Sequence, residues 1–132
     1  MIRRVYRWID HTAELELEIE AETAEGVVGE AARALAELLG DGEPAGTRTV
    51  AVEAGDRAAL LAAFVEELVY LAESEQLVPR AVTEVELSDG GLRAEVELAR
   101  GDPPHLVKAV TYHRLAFEPH AAGYRATAVL DV

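Results

Sequence analysis

The 132-residue sequence contains no cysteine and no apolar run long enough to span a bilayer. The lack of cysteine excludes disulfides, thiolate nucleophiles and cysteine-based zinc or iron–sulfur sites, so any metal must be held by oxygen or imidazole ligands. A membrane-spanning helix needs roughly 20 apolar residues. The N-terminal segment also lacks the apolar core and the small-residue cleavage site of a signal peptide. We therefore expect a cytoplasmic protein.

Signatures of nucleotide binding and of serine hydrolases are missing as well. There is no Gly-x-x-x-x-Gly-Lys-Ser/Thr loop, no Gly-x-Gly-x-x-Gly turn and no Gly-x-Ser-x-Gly elbow. The glycine-rich string "GDGEPAG" at positions 40–46 is acidic and would repel phosphate, so it predicts an ordinary loop.

Basic residues are scarce. The sequence has 12 lysines and arginines against 25 aspartates and glutamates, which gives a formal net charge of −13. A surface this acidic repels phosphate backbones at long range, so we do not expect strong direct binding to RNA or DNA. A partner with a basic surface, a bound cation or simple solubility would each account for the charge, and composition does not choose among them.

Hydrophobic periodicity predicts strands and helices in alternation. The string "LELEIEAET" alternates strictly between apolar and acidic residues, as a half-buried strand does. Thr23 and Asp56 are predicted N-caps of two helices, the first of which ends at Gly40. Asp89-Gly90 between two alternating segments predicts a hairpin. The predicted helices cover 24–40 and 57–74, and the predicted strands cover 15–22, 47–54, 81–88, 92–99, 105–119 and 124–132.

The order of these elements is strand, helix, strand, helix and then four strands. Two helices can cover one face of a sheet, and the later strands complete that sheet by antiparallel pairing. We therefore expect a single domain over residues 1–132, an α/β (α+β) two-layer sandwich with two helices. Its sheet is predicted to be mixed, largely antiparallel and made of about six strands.

Acidic groups occur at both ends of the chain. If the string "DHTAEL" is extended, Asp10 and Glu14 share a face and His11 points the other way. Hard cations prefer several oxygen ligands from separate segments, and Asp131 with the main-chain carboxylate of Val132 offers a second segment. Exposed acids near a chain end fit the same pattern, so spacing alone leaves a metal site open.

The string "VKAVTYH" places polar groups in an otherwise apolar strand. Along an uninterrupted strand Lys108 and Tyr112 face one side, while Thr111 and His113 face the other. All four could serve one pocket only if a bulge re-aims part of the strand. The simpler interpretation is a sheet face whose amphipathic side chains reach into solvent.

Three strings in order, "DHTAEL", "VKAVTYH" and "VLDV", resemble the archease family, and the elements between them also match. The resemblance implies an accessory protein, not an enzyme, whose partner is an RtcB-type RNA ligase of tRNA splicing and RNA repair. It implies that the protein promotes guanylylation of the ligase with GTP and multiple turnover. It also implies a divalent-cation site at Glu14, Asp131 and Val132, with calcium expected first and magnesium or manganese as alternatives.

The same resemblance implies that other residues take part in activation or support the cation site. Lys108 belongs to the group implied in activation, and Asp10, His11 and His113 are candidates to support the cation site or an activation surface. The family usually has aspartate where this chain has Glu14. The extra methylene moves the carboxylate outward by roughly 1.5 Å, a change that calcium sites tolerate better than octahedral magnesium sites.

Two other functions fit the residues. A metal-dependent phosphoesterase or other hydrolase could use the same carboxylates with His11 or His113 as acid or base. Such enzymes often need two metals about 3.5–4 Å apart and more ligands than are evident here. A passive, chaperone-like scaffold would use the acids for solubility alone. Turnover without a ligase would favour the hydrolase, and a lack of specific cation uptake would favour the scaffold.

Overall fold

A computed structural model describes residues 4–104 and 107–132, which form seven strands and two helices. His105 and Leu106, the start of the predicted strand over 105–119, lie outside the described residues. None of the helices in the described ranges is long and apolar enough to cross a membrane. In chain order the elements are β1 (Val5–His11), β2 (Glu14–Ala21), α1 (Ala24–Leu39), β3 (Gly42–Glu53), α2 (Arg57–Glu75), β4 (Leu77–Leu87), β5 (Gly91–Gly101), β6 (Ala109–His120) and β7 (Gly123–Asp131).

The strands divide into two sheets. The first has the order β1-β2-β7-β6 and the second has the order β3-β5-β4. All the pairings between these strands are antiparallel. The predicted α+β class with two helices and largely antiparallel pairing is confirmed, but the strands form sheets of four and three instead of one sheet of about six.

The helices explain why two sheets form. Each helix contacts both sheets: α1 packs against β4 and β2, and α2 packs against β6, β3 and β4. A helix that is apolar on several sides must be covered on several sides. The buried side chains of α2 include Leu60, Leu61, Phe64, Val65 and Leu68, which are not confined to a single narrow stripe. One sheet could not cover them all, so the hydrophobic core is shared between the two sheets and the helices.

The helix boundaries follow the predicted caps. The Thr23 Oγ1 atom accepts a hydrogen bond from the Gly26 amide at 2.9 Å. Gly40 follows α1 with a φ of +93°, a positive value that glycine adopts without steric cost. At α2 the Asp56 Oδ1 atom accepts from the Ala59 amide at 2.8 Å. These interactions satisfy backbone groups that a helix end leaves without partners.

The predicted hairpin also forms, between β4 and β5. Leu87 pairs with Leu92, and the Ser88 amide donates to the Gly91 carbonyl at 2.9 Å across the turn. The strand β4 begins earlier than the prediction, because it continues through Pro79 with a register shift that accommodates the missing amide.

Two parts of the chain differ from the prediction. The strand β1 was not predicted, because apolar residues occur on both of its faces: Tyr6 and Trp8 pack against the core, while Val5 and Ile9 lie on the other face along a sheet edge. The loop predicted for "GDGEPAG" is wrong, since β3 begins at Gly42 and Pro44 pairs with Ala99. A sheet edge tolerates proline and glycine, and here the register shifts directly after Pro44.

Candidate functional site

The turn between β1 and β2 lies beside the end of β7. Thr12 and Ala13 form this turn, and Ala13 has a φ of +61°. Glu14 is directly opposite Asp131 in the pairing of β2 with β7. The Val132 amide donates to the Ala13 carbonyl at 3.0 Å. The residues that the sequence analysis singled out at the two ends of the chain are therefore neighbours.

The segment before β6 joins the same place. The Lys108 amide donates to the Asp131 carbonyl at 2.7 Å, and Ala109 pairs with Asp131. The Lys108 side chain is exposed. Because these are main-chain hydrogen bonds, the three strings "DHTAEL", "VKAVTYH" and "VLDV" are held together independently of the side chains that they carry.

The turn changes which residues share a face. In the pairing of β1 with β2, His11 is opposite Glu14 and Asp10 is opposite Leu15. Directly opposite residues on antiparallel strands point to the same side. The prediction that Asp10 and Glu14 share a face is wrong, because it assumed an extended chain where a two-residue turn intervenes. His11 lies with Glu14 on what we call the outer face of the first sheet, and Asp10 lies on the other face.

The strand β6 bulges out next to this site. Thr111 pairs with Val129 and Ala116 pairs with Thr127, so four β6 residues face a single β7 residue. We call these four residues, 112–115, the β6 bulge. The end of the segment "VKAVTYH" therefore lies in a bulge, and the interpretation of it as part of one uninterrupted strand is wrong. Within the bulge the Tyr112 side chain is 65% exposed, and the His113 amide donates to the Thr111 Oγ1 atom at 3.2 Å.

Arg114 is a site residue that the sequence analysis missed. Its Nε atom donates to the Glu16 Oε1 atom at 3.0 Å, and its Nη2 atom donates to the Glu14 Oε1 atom at 3.3 Å. The residue has a φ of +57°, which costs a residue other than glycine roughly 1–2 kcal/mol. Glu16 and Arg114 are 98 residues apart in sequence, so no local pattern links them. The break in alternation at "TYHR" is the one signal that the sequence gives.

Glu16 is the buried carboxylate at the centre of this cluster. Its side chain is 12% exposed, and its Oε1 atom also lies 3.1 Å from the His11 Nε2 atom. Burial raises the pKa of the Glu16 carboxyl, but the hydrogen bonds from His11 and Arg114 outweigh burial, so the pKa is lowered overall. Glu16 therefore stays ionised at neutral pH and holds Arg114 and His11 on the outer face.

The donor set at the chain ends suits a hard cation. Glu14 and Asp131 contribute side-chain carboxylates, Val132 contributes main-chain oxygens, and oxygen donors are those that calcium and magnesium prefer. Within residues 4–104 and 107–132 there is no group of three or more His, Asp and Glu side chains suited to holding a metal ion. A cation here would thus depend on the Val132 main chain as well as on the two acidic side chains.

A groove of about 380 Å³ extends from this site between α2 and the start of β6. It is lined by Lys108 and Tyr70 among others, and the Tyr70 side chain is 60% exposed. The groove connects the exposed Lys108 with an exposed aromatic residue, so the surface next to the site combines apolar and charged groups.

The sequence matches the Archease protein family (MTH1598/TM1083) over residues 6–132. It is 30% identical to Protein archease of Methanosarcina mazei over 140 residues, which covers 96% of this chain and 95% of that protein. It is 32% identical to Protein archease of Archaeoglobus fulgidus over 139 residues, which covers 96% and 98% of the two chains.

Solved structures share the fold. The solution structure of Protein 1598 of Methanobacterium thermoautotrophicum has a TM-score of 0.78 at 23% identity and covers 96% of this chain and 98% of its own. The crystal structure of a Thermotoga maritima archease, described as a possible chaperone, has a TM-score of 0.69 at 21% identity and covers 99% and 100%. The family match extends over nearly all of the described residues and includes the three strings that meet at the site. The chain belongs to the archease family.

Proposed function

We propose that this archease activates an RtcB-type RNA ligase in the cytoplasm, as an accessory protein that is not itself an enzyme. In this proposal it promotes guanylylation of the ligase with GTP and allows multiple turnover during tRNA splicing and RNA repair. The observation that supports this most directly is that three family strings meet at one surface, where Glu14 lies opposite Asp131 and the Lys108 amide bonds to the Asp131 carbonyl.

We place a divalent cation at this surface, calcium first and magnesium or manganese as alternatives. Its ligands would be Glu14, Asp131 and the main-chain oxygens of Val132. Directly opposite residues have Cβ atoms about 5 Å apart, a separation across which two carboxylates can share one ion. The bond from the Val132 amide to the Ala13 carbonyl keeps those main-chain oxygens beside the turn. Bound there, a cation would present a localised positive charge to a phosphate or carboxylate of the partner.

The docking surface in this proposal surrounds the cation site. Lys108 adds a mobile point charge, and His11 lies at the end of β1, while His113 lies on the β6 bulge. Tyr70 and Tyr112 are exposed, and aromatic residues are enriched in protein interfaces. The net charge of −13 favours a partner with a basic surface, because complementary charge speeds association. Asp10 lies on the other face of the sheet, so we do not include it among the cation ligands.

Multiple-turnover ligation by the cognate ligase tests the proposal. We expect Glu14→Ala, Asp131→Ala and Lys108→Ala each to reduce stimulation by about tenfold or more. Glu20→Ala is the matched control, because it removes an exposed carboxylate from the far end of the same strand. The control should stimulate as the wild type does. Full stimulation by all three site variants would refute the site.

Two further measurements separate the alternatives. Calorimetric titration of the wild type with calcium, magnesium and manganese should show specific uptake that Glu14→Ala and Asp131→Ala weaken. A complete lack of uptake would favour a passive scaffold. Incubation of the protein alone with a generic phosphoester should give no turnover, and turnover without ligase would favour a hydrolase.

A further inference from the structure

We propose that Arg114 is an internal competitor of the divalent cation at Glu14. This inference rests on the proposed cation site, whose affinity for the cation Arg114 would regulate. The Arg114 guanidinium donates a hydrogen bond to the Glu14 Oε1 atom, one of the oxygens that would bind the cation. A cation that takes the Glu14 carboxylate would displace Arg114 from Glu14 and would thereby loosen the β6 bulge.

The two bonds of Arg114 show which one would break. The bond to Glu16 is 3.0 Å long and that to Glu14 is 3.3 Å long. The Glu16 side chain is 12% exposed, whereas the Glu14 side chain is 28% exposed. Ion pairs in contact with solvent are weak, while breaking a buried pair is costly. The longer, more exposed bond to Glu14 is therefore the one that a cation replaces, and Arg114 stays attached to Glu16.

The exposed part of the β6 bulge, residues 112–114, depends on this arginine for its position, whereas Leu115 packs against the core. None of the four residues of the bulge is paired with a residue of β7. Val129, which is opposite Glu16 on the outer face, is fully buried, which indicates that the bulge folds over this part of the sheet. Arg114 fixes the bulge there through two carboxylates on β2, in a left-handed conformation that is unfavourable by itself. Loss of one of the two bonds should leave the bulge freer to move.

The consequence is a link between the cation and the proposed docking surface. Tyr112 and His113 belong to the bulge and are exposed, so they can move without repacking the core. Lys108 lies just before β6, beside the cation ligands. Cation uptake at Glu14 would thus change the surface that carries Tyr112 and His113, and a partner that binds the altered surface would in turn favour cation uptake.

Calorimetric titration with calcium tests the competition. Arg114→Ala should bind calcium about fivefold more tightly than the wild type, the order of magnitude of a partly exposed ion pair. Arg7→Ala is the matched control, because Arg7 lies on the same outer face, pairs with Glu18 and carries the same charge. The control should stay within about twofold of the wild type, since general charge effects are screened by salt.

The outcomes distinguish this inference from the proposed function. Equal or weaker calcium binding by Arg114→Ala, with normal binding by the wild type and by Arg7→Ala, would overturn the competition and leave the cation site intact. Lack of calcium binding by all three proteins would overturn both proposals.

A second measurement uses the wild type alone, so it does not depend on how well a variant folds. Calcium should shift the NMR signals of the Arg114 Nη–H groups, which include the donor to Glu14, more than that of the Nε–H group, which stays bonded to Glu16. It should also speed amide hydrogen exchange at residues 112–114, the exposed part of the bulge. The amides at residues 45–46, in the register shift of β3, serve as an internal control and should not respond. Unchanged Arg114 and bulge signals at saturating calcium would refute the displacement.

Discussion

Two strands, β3 in one sheet and β6 in the other, each contain a register shift and a residue with positive φ, but different residue types occupy that position. The register of β3 shifts between Pro44 and Thr47, and the residue with positive φ there is Gly46, at +91°. In β6 the residue with positive φ is Arg114, at +57°. Glycine adopts this conformation without steric cost, whereas arginine does not. The irregularity in β3 is thus relaxed, and the one in β6 is held against an unfavourable backbone conformation.

The arginines at the two places also bind different carboxylates. Arg48, just after the shift in β3, makes bonds of 3.0 and 3.3 Å to Glu75, and both side chains are nearly half exposed. Arg114 binds Glu16, which is buried. Backbone strain that is held in place by buried polar contacts is typical of functional sites. The strand β3 is therefore constrained by its backbone and β6 by its charges, and this difference supports assigning function to β6.

The largest effect should come from the backbone of β3. A Cβ atom at Gly42 would lie 2.0 Å from the Arg100 carbonyl oxygen, so Gly42→Ala must force the two strands apart. We expect it to lower the free energy of unfolding by about 3 kcal/mol, measured by chemical denaturation. Gly55→Ala is the control, because a Cβ atom there meets nothing within 4 Å. Wild-type stability for Gly42→Ala would contradict a backbone constraint.

The next effect should come from the charges around β6. Glu16→Gln removes the buried anionic partner of Arg114 and His11, leaves Arg114 only its more exposed pair with Glu14, and should cost about 2 kcal/mol of stability at neutral pH. Glu75→Gln removes the corresponding carboxylate near β3 and should cost much less, because that ion pair is solvated. If the two variants lose equal stability in denaturant unfolding, the distinction between the two regions fails.

A smaller effect should measure the backbone conformation of residue 114 by itself. Arg114→Ala and Arg114→Gly both remove the ion pairs, but only glycine suits a φ of +57°. The glycine variant should therefore be more stable than the alanine variant by about 1 kcal/mol in denaturant unfolding. Gly46→Ala in β3 should lower the free energy of unfolding by a similar amount, because it puts alanine at a φ of +91°. Equal stability of the two variants at position 114 would mean that the left-handed conformation is not maintained without Arg114.

The smallest effect concerns the solvated pair beside β3. The hydrogen bond from Arg48 lowers the pKa of the Glu75 carboxyl below its ordinary value of 4.5. A lowered pKa in the folded state stabilises the protein above the ordinary value, and this contribution is lost as pH falls through the folded pKa. Arg48→Ala should return the Glu75 pKa towards its ordinary value, as followed by NMR titration. Its small stability deficit at neutral pH should vanish in acid. An unchanged pKa would show that the pair does not persist in solution.

The sequence predicted the parts of the fold that depend on local interactions. Local contacts form the helix caps at Thr23 and Asp56 and the hairpin turn at Asp89-Gly90. Because each involves residues a few positions apart, a short stretch of the sequence is enough to predict it. The strand β1 and the start of β3 were missed for the opposite reason. At a sheet edge, charged residues, proline and glycine are tolerated because neighbouring strands compensate for them.

The candidate site divides in the same way. Glu14, Asp131 and Val132 were named because three strings resemble a family, and spacing alone left a metal site open. Arg114 and Glu16 were not named, since their contact requires the turn after β1, the pairing of β2 with β7 and the β6 bulge together. The pairing of β2 with β7 and the β6 bulge are tertiary arrangements that no single stretch of sequence records.

The position of β7 has a consequence for how the protein is made. This strand lies between β2 and β6, yet it follows every other described element along the chain. The early β1–β2 hairpin must therefore wait for β7 to leave the ribosome before its sheet can close. Contacts such as Arg114 to Glu16, 98 residues apart, form late because a long loop must first lose its conformational entropy. We expect the second sheet's β4–β5 hairpin to form early and the first sheet, with the candidate site, to complete folding last.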